Sequence, residues 1–151
     1  METLIENKKA LFDYEILEKL KAGIVLLGFE VKAIKTGKMT LRGSFVVFKN
    51  GELFLIGASV APYQPNNTPR DYNPQRSRKL LLKKAEIKEL LGKTSQKGLT
   101  MIPLKVYTDK GKIKLEFGLA RHKKKGDKRI QIKKREIDKE IQRAMKGGER
   151  T

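Results

Sequence analysis

Alternating apolar and polar residues are the strongest pattern in this chain, and they predict a hairpin over residues 99–121. The incoming strand is apolar at every second position from Ile102 to Val106, and the outgoing strand repeats this from Ile113 to Leu119. The sequence Asp109-Lys110-Gly111 between the two runs predicts the turn. A period of two is typical of a sheet with one buried and one solvent-facing side, and the solvent-facing positions here carry lysines.

A second hairpin is predicted over Phe45–Ala58. Two apolar runs, Phe45–Phe48 and Leu53–Ile56, flank Asn50-Gly51. Asn-Gly between two strand-like runs is a strong hairpin signal, because a type I′ turn needs positive φ at both central residues.

The N-terminal part of the chain predicts shorter elements. Residues 1–10 are mostly polar and are expected to form an exposed arm. The alternation of Phe12, Tyr14 and Ile16 favours a strand over a helix. The apolar run between Gly23 and Gly28 predicts a separate, buried strand.

Two short helices are predicted from apolar residues at helical spacing. The first covers Glu30–Lys35 and is cut off by Gly37. The second covers Lys84–Leu91, with Gly92 expected just past its C-terminal end. Leu80 and Leu82, which precede the second helix, are most simply explained as core residues.

The order of these elements predicts the fold class. Residues 61–74 hold four of the five prolines and are expected to form a loop. Strands and helices do not alternate, which argues against a parallel sheet. The chain is therefore predicted to be mainly β: a small antiparallel barrel of the OB type, with about six strands and two or three short helices, over residues 1–122. A basic C-terminal tail is predicted over residues 123–151.

Charge changes this picture from a fold to a class of partner. The chain has 35 Lys and Arg against 17 Asp and Glu, a net charge of +18 and a pI of about 10.1. Such an excess points to a phosphate backbone or to an anionic membrane surface. The apolar runs fall short of the roughly 18 residues of a spanning helix, and the N-terminus does not resemble a signal peptide. We therefore expect a cytoplasmic protein that does not bind membranes.

The C-terminal segment is the most basic part of the chain. Residues 121–151 carry 13 Lys and Arg against 5 Asp and Glu, a net charge of +8. Ile130, Ile137, Ile141 and Met145 form only a narrow apolar stripe at helical spacing. Because this stripe buries little surface, the tail is predicted to be disordered alone and to fold on a polyanion.

Catalytic chemistry is not indicated. The single histidine, His122, lies between two cations, and the chain has no cysteine. The glycines do not form a phosphate-binding loop, and the acidic residues are scattered among lysines, which suits ion pairing better than metal coordination. We expect a non-enzymatic nucleic-acid-binding protein without a cofactor or metal. Tyr63, Tyr72 and Tyr107 are candidates for stacking on bases, with packing or turn formation as an equally good explanation.

Several motifs carry a family resemblance, and they run in order from about residue 5 to residue 146. They are Asn7-Lys8-Lys9-Ala10, Asp13-Tyr14-Glu15-Ile16, the run GIVLLGFEVKAIKTGK from Gly23 to Lys38, Ala61-Pro62-Tyr63, Asn73-Pro74, Arg78-Lys79-Leu80-Leu81-Leu82, Pro103-Leu104, Gly118-Leu119-Ala120-Arg121 and Asp127-Lys128-Arg129. Together they resemble the small protein B family, the bacterial tmRNA-binding proteins of trans-translation.

The resemblance implies both a fold and a set of partners. It implies an OB-type barrel that binds the tRNA-like domain of tmRNA, acts as a monomer, and delivers alanyl-tmRNA with elongation factor Tu to stalled ribosomes. It also implies that the tail becomes helical in the empty mRNA channel of the small ribosomal subunit, at the decoding centre.

The resemblance also implies two groups of site residues. The predicted tmRNA-binding residues are Asn7, Lys8, Lys21, Gly23, Arg76, Arg78, Lys79 and Leu81. The predicted ribosome-engaging residues of the tail are Lys123, Lys124, Asp127, Lys128, Arg129, Arg135 and Met145.

Four positions depart from the family pattern. Lys21 stands where glutamate is usual, and Lys83 where histidine or asparagine is usual. His122 stands at the usual place of a hinge glycine, and Gly126 at the place of a histidine or tyrosine. An alternative explanation of the charge and the barrel is a structural ribosomal protein or an assembly factor that binds rRNA. An RNA-modifying enzyme or nuclease is a third option, for which metal ligands are not evident.

Overall fold

The computed structural model describes residues 2–95 and 98–123. Its α-helices in these ranges are α1 (Lys8–Asp13), α2 (Gly28–Lys35) and α3 (Lys84–Thr94). Its strands are β1 (Glu2–Glu6), β2 (Tyr14–Ile24), β3 (Met39–Thr40), β4 (Phe45–Lys49), β5 (Glu52–Ile56), β6 (Ser59–Val60), β7 (Arg78–Leu81), β8 (Thr100–Asp109) and β9 (Lys112–His122). The predicted tail residues Lys124, Asp127, Lys128, Arg129, Arg135 and Met145 lie outside the described residues.

Six of the strands form a hydrogen-bonded ring. The strand order of the main sheet is β1-β8-β4-β5-β7-β2-β9, and β9 also pairs with β8. Since β8 pairs with β4 as well as with β9, the sheet returns to its start, and β1 adds to β8. The prediction of a mainly β fold with two or three short helices is confirmed; the OB type stays a prediction.

The apolar core is built from residues at every second position of the ring strands, together with one face of α2 and of α3. This is the period-two pattern that the sequence predicted. The largest fully buried apolar side chains of this core are Ile34, Leu41, Leu53, Leu55, Leu80, Leu90, Leu115 and Phe117.

Both predicted hairpins are confirmed. In the β4–β5 turn, Asn50 and Gly51 have φ of 53° and 76°, as a type I′ turn requires. In the β8–β9 turn, Lys110 and Gly111 have φ of 51° and 77°. The loop predicted over residues 61–74 is also observed, with a single 3-10 turn at Pro65–Asn67.

The prediction of an exposed N-terminal arm is wrong. Residues 2–6 form β1, which pairs with β8 through Thr3 opposite Tyr107 and Glu6 opposite Lys105. The sequence of residues 2–6 did not predict a strand, because its side chains are mostly polar. The strand is held instead by backbone hydrogen bonds to the edge of β8.

The two strands predicted over residues 12–28 are one. Phe12 lies in α1, and β2 continues without interruption from Tyr14 to Ile24. Beyond it, Val25 and Leu27 are 44% and 43% exposed, so the expected buried strand between the glycines is not formed.

The wet face predicted for the β8–β9 hairpin is covered at one end. Ala10 of α1 packs there with Ile102, Leu104 and Ala120 as a second apolar cluster. The prediction that Ile102 and Leu104 share a face with Val106 is wrong: Val106 lies in the main core, and the ladder register shifts between Pro103 and Lys105, so the alternation changes sides there. Sequence alternation describes one strand at a time and therefore predicted neither this shift nor the helix that covers the other side. The predicted end of the second helix is also wrong, because Gly92 lies inside α3.

Gly118 marks a close approach of β9 to β2 and β8. A Cβ atom at this position would lie 2.8 Å from Ile16 Cγ2 and 3.3 Å from Leu104 Cδ1. We expect Gly118→Ala to lower the free energy of unfolding by about 1–3 kcal/mol, since an added methyl group overpacks a filled site. Urea denaturation measures this change.

Gly92→Ala is the matched control for this prediction. A Cβ at Gly92 meets no described atom within 4 Å, and the residue is inside a helix. Alanine should therefore stabilise the protein by about 0.5–1 kcal/mol. Equal effects of the two substitutions would contradict the packing described for Gly118.

Candidate nucleic-acid interface

Residues from four strands lie in a row across one face of the ring. Tyr107 of β8 is opposite Lys114 of β9, which is opposite Gly23 of β2, which is opposite Leu81 of β7. We call these four residues the leucine row. The sheet thus brings together Gly23 and Leu81, two predicted site residues that are far apart in the sequence.

A second row lies beside the first on the same face. Lys105, Glu116 and Lys21 are opposite one another on β8, β9 and β2, and each is two residues from a member of the leucine row. We call these three residues the glutamate row. Since side chains two residues apart on a strand point the same way, both rows belong to one surface.

Leu81 lies at the centre of this surface. Its residue is 53% exposed, and it borders three adjoining grooves. Between Leu81 and Lys114, Gly23 has no side chain, and a Cβ there would come within 3.3 Å of Leu81 Cβ. The lysines that line the three grooves are Lys21, Lys79, Lys83, Lys84, Lys88, Lys112 and Lys114.

Two lysines cover the ring of Tyr107. The Nζ atoms of Lys21 and Lys105 lie 5.7 Å and 5.8 Å from its centroid, within the range of cation–π attraction. Burial raises the pKa of the Tyr107 hydroxyl, and the charges of Asp109 and Glu116 raise it further. Because Tyr107 is only 2% exposed, its ring positions these lysines and is covered against stacking on a base.

Lys8 and Asn7 lie at another groove of the same face. This groove is lined by Glu6, Asn7, Lys8, Leu11, Lys19, Leu104, Lys105 and Glu116, and we call it the Glu116 groove. Asn7 is buried, and its side-chain amide donates to the carbonyl of Pro103 at 2.8 Å. Its position argues for fastening α1 to β8, whereas the exposed Lys8 is free to meet a phosphate.

Arg78 is buried and engaged in a cluster around Glu30. Its Nε and Nη2 donate to Glu30 Oε2 at 3.0 Å and 2.6 Å, and Nη1 donates to the carbonyl of Ala58 at 3.0 Å. Both Arg78 and Glu30 have no solvent exposure. The predicted direct contact of Arg78 with RNA is therefore not supported by its position, and the residue instead fixes the start of β7.

Arg76 and Tyr72 complete the cluster. The Arg76 guanidinium pairs with Glu30 and is 27% exposed, and the Tyr72 hydroxyl donates to Glu30 Oε2 at 2.9 Å. Burial and the hydrogen bond to Glu30 raise the pKa of Tyr72. These contacts tie the proline-rich loop to α2, and they place Tyr72 in the cluster rather than on a free surface for stacking.

Two other predicted contact residues have partners of their own. Lys79 forms an ion pair with Glu52 at 2.9 Å and is still about two-fifths exposed. Tyr63 is half-buried, with Lys38 Nζ 5.6 Å from its ring centroid.

The base of the tail is attached to the end of α1. The Lys123 amide donates to the carbonyl of Asp13 at 3.0 Å, and its Nζ donates to the carbonyl of Leu11 at 2.9 Å. The ring of His122 lies 4.2 Å from that of Tyr14. These contacts hold His122, the position at which the family resemblance implies a hinge.

The structure adds residues that sequence reasoning did not assign to the site. Lys105, Lys112, Lys114 and Glu116 belong to the surface because β8 and β9 carry it together with β2. These residues occupy polar positions of the predicted hairpin. The alternation of polar and apolar residues did not show which strand would lie on the other side of β9.

Other kinds of site are not evident in residues 2–95 and 98–123. No group of three or more His, Cys, Asp or Glu side chains in this part is arranged to hold a metal ion. Across the same residues, none of the helices is long and apolar enough to cross a membrane.

The fold and this surface define a small basic β protein with a lysine-lined face suited to a polyanion. The family model described as "SmpB protein" matches residues 4–147. An SsrA-binding protein of Thermosynechococcus vestitus is 48% identical over 146 residues, covering 97% of this chain and 96% of that protein. An SsrA-binding protein of Cupriavidus taiwanensis is 49% identical over 146 residues, covering 97% and 98%.

A solved structure is also similar to this chain. A chain of the structure described as "tmRNA-SmpB: a journey to the center of the bacterial ribosome" is 49% identical, with a TM-score of 0.66. The similarity covers 80% of this chain and 85% of that one. The protein belongs to the SmpB family.

The Glu30 cluster predicts a dependence of stability on pH. Burial by itself raises the pKa of Glu30, but hydrogen bonds from Arg76, the Leu27 amide and Arg78 outweigh it and lower the pKa from 4.5 to about 2. Because the folded pKa is depressed, this stabilisation is complete above pH 4.5 and is lost as the pH falls towards 2. The loss should be about 3 kcal/mol, measured by urea denaturation between pH 7 and pH 2.5.

Glu30→Gln should be less stable at pH 7, because the buried Arg78 and the partly exposed Arg76 lose their counter-charge, and its stability should change less in acid. Glu15→Gln, which removes an exposed partner of Arg121, should keep the acid dependence of the native chain. An equal loss of stability in the native chain and in Glu30→Gln would contradict the shifted pKa.

Proposed function

We propose that this chain binds the tRNA-like domain of tmRNA and brings it to stalled ribosomes in trans-translation. The observation that carries the proposal is the leucine row, which combines an exposed apolar side chain, packed over Gly23, with flanking lysines on one face. The SsrA-binding proteins that the chain resembles, and the similarity to a chain of a tmRNA-SmpB structure, support the same partner.

The chemistry of the face suits folded RNA. Lysines around the grooves neutralise phosphates, and this contribution to binding is independent of sequence. Leu81 offers an apolar contact to an unstacked base or a sugar. Because Gly23 has no side chain, Leu81 lies close against β2 at this point of the face. Selectivity for one RNA shape then comes from where these groups lie relative to one another.

The remaining roles follow from the family resemblance. The ring of strands is an OB-type barrel, the protein acts as a monomer, and it works with elongation factor Tu carrying alanyl-tmRNA. The tail from Lys123 onward engages the mRNA channel of the small subunit and the decoding centre. The protein acts by binding, not by catalysis.

Binding to two RNAs across a salt series tests the proposal. The tRNA-like domain of tmRNA and an ordinary tRNA are similar in size and charge, so a polycation binds both alike. We expect a preference for the tRNA-like domain that persists at high salt. If about five phosphates are neutralised, the slope of log K against log salt should be near −4. Equal binding that collapses with salt would contradict the proposal and favour a general rRNA-binding role.

Truncation after His122 separates binding from action on the ribosome. Because the two rows and the three grooves lie in residues 2–122, the truncated chain should bind the tRNA-like domain within about threefold of the full chain. It should fail to support tagging in a translation assay with a truncated message.

The full-length chain is the control for the binding measurement, since both chains are titrated against the same RNA. A loss of binding as large as the loss of tagging would contradict this division of roles. Tagging by the truncated chain at the full rate would do so as well.

A further inference from the structure

Glu116 is a buried carboxylate in a surface that carries mainly lysines. The carboxylates that line the four grooves within the described residues are Glu6, Glu52, Glu86 and Glu116. Only Glu116 among them is buried, at 8% exposure. Burying a carboxylate is costly unless its oxygens are paired, so its place in the centre of the glutamate row calls for an explanation.

One oxygen of this carboxylate has a partner and the other has none among residues 2–95 and 98–123. Oε2 lies 3.3 Å from Lys105 Nζ. Lys21, which faces Glu116 across the β2–β9 ladder, directs its ammonium towards the Tyr107 ring instead. Oε1 is therefore an available acceptor at the edge of the Glu116 groove.

The other groups of the Glu116 groove indicate what would use this acceptor. Lys8, Lys19 and Lys105 supply positive charge, and Glu6 and Glu116 supply carboxylates. A groove for phosphate alone would gain nothing from carboxylates. A stretch of RNA offers both phosphates and donors, because each nucleotide carries a 2′-hydroxyl and most bases carry amino groups.

We propose that Glu116 is a specificity-determining residue of the RNA site. Its free oxygen accepts a hydrogen bond from a 2′-hydroxyl or base amino group, and its negative charge repels a phosphate from the same place. An RNA that presents a donor there gains a charge-assisted hydrogen bond, and an RNA that presents a phosphate is disfavoured. This role rests on the proposed function, because it concerns how the same face selects its RNA.

The substitution Glu116→Gln tests the role with little change of shape. The amide keeps a weaker acceptor and removes the charge. Glu15→Gln is the matched control, because Glu15 lies on the same strand pair opposite Arg121, six residues and about 20 Å along β2 from Lys21. Dissociation constants for the tRNA-like domain and for an ordinary tRNA are measured at one salt concentration on the same preparations.

We expect Glu116→Gln to bind the tRNA-like domain about tenfold more weakly and the ordinary tRNA equally well or better. Its preference should fall at least tenfold, while that of Glu15→Gln should stay within about twofold of the native value. The ratio of the two constants does not depend on the fraction of folded protein, so partial unfolding of a variant cannot produce this result.

Two outcomes overturn the role of Glu116. Unchanged dissociation constants for both RNAs in Glu116→Gln would show that the carboxylate does not contribute to RNA binding. An equal weakening for both RNAs would show that it only supports the fold or the positions of the lysines. A native chain without any preference would instead overturn the proposed function, and with it this role.

Discussion

The buried ion pair between Glu30 and Arg78 is the contact on which the position of the proposed RNA-binding surface depends. It joins α2 to the first residue of β7, and the hydrogen bonds of Arg78 to the carbonyls of Ala58 and Pro74 tie in the end of β5 and the long loop. A buried pair of this kind contributes less to net stability than to choosing one arrangement, because desolvation offsets most of its attraction.

That arrangement determines where Leu81 lies. Three residues after Arg78, the strand reaches Leu81, which pairs with Gly23 of β2, and the Val25 amide donates to the carbonyl of Lys79 at 2.9 Å. Only two residue pairs join β7 to β2, so few ladder hydrogen bonds hold the ring together at the centre of the surface. The contacts of Arg78 and of the Val25 amide therefore hold β7 in place, so that this short strand presents Leu81 in one position.

The surface also shows how a chain of net charge +18 places its cations. In the two rows formed by β2, β8 and β9, Lys21, Lys105 and Lys114 occupy outward positions where water or phosphate can solvate them. Glu116 is the partner of Lys105 on this face, whereas Glu18 and Glu89 pair with Lys93 of α3.

Sequence reasoning succeeded where one local signal decided the structure. Asn50-Gly51 fixed one hairpin, and the alternation on either side of Gly111 fixed the other. It failed where a partner distant in sequence decided: polar residues 2–6 became a strand at the edge of β8, and α1 covered Ile102 and Leu104. Gly23 and Leu81 were named by family resemblance, but their contact, the burial of Arg78 and the role of Glu116 depend on strand register that no single segment specifies.

If the face around Leu81 is the RNA-binding surface, substitutions at two equally exposed leucines should differ in their effect on RNA binding. Leu81 and Leu91 are exposed to nearly the same extent, 53% and 54%, but lie on β7 and on α3. Glutamate at either position changes the net charge equally. Titration of both variants with the tRNA-like domain should give at least tenfold weaker binding for Leu81→Glu and a change within about twofold for Leu91→Glu. Equal weakening by the two substitutions would contradict the claim.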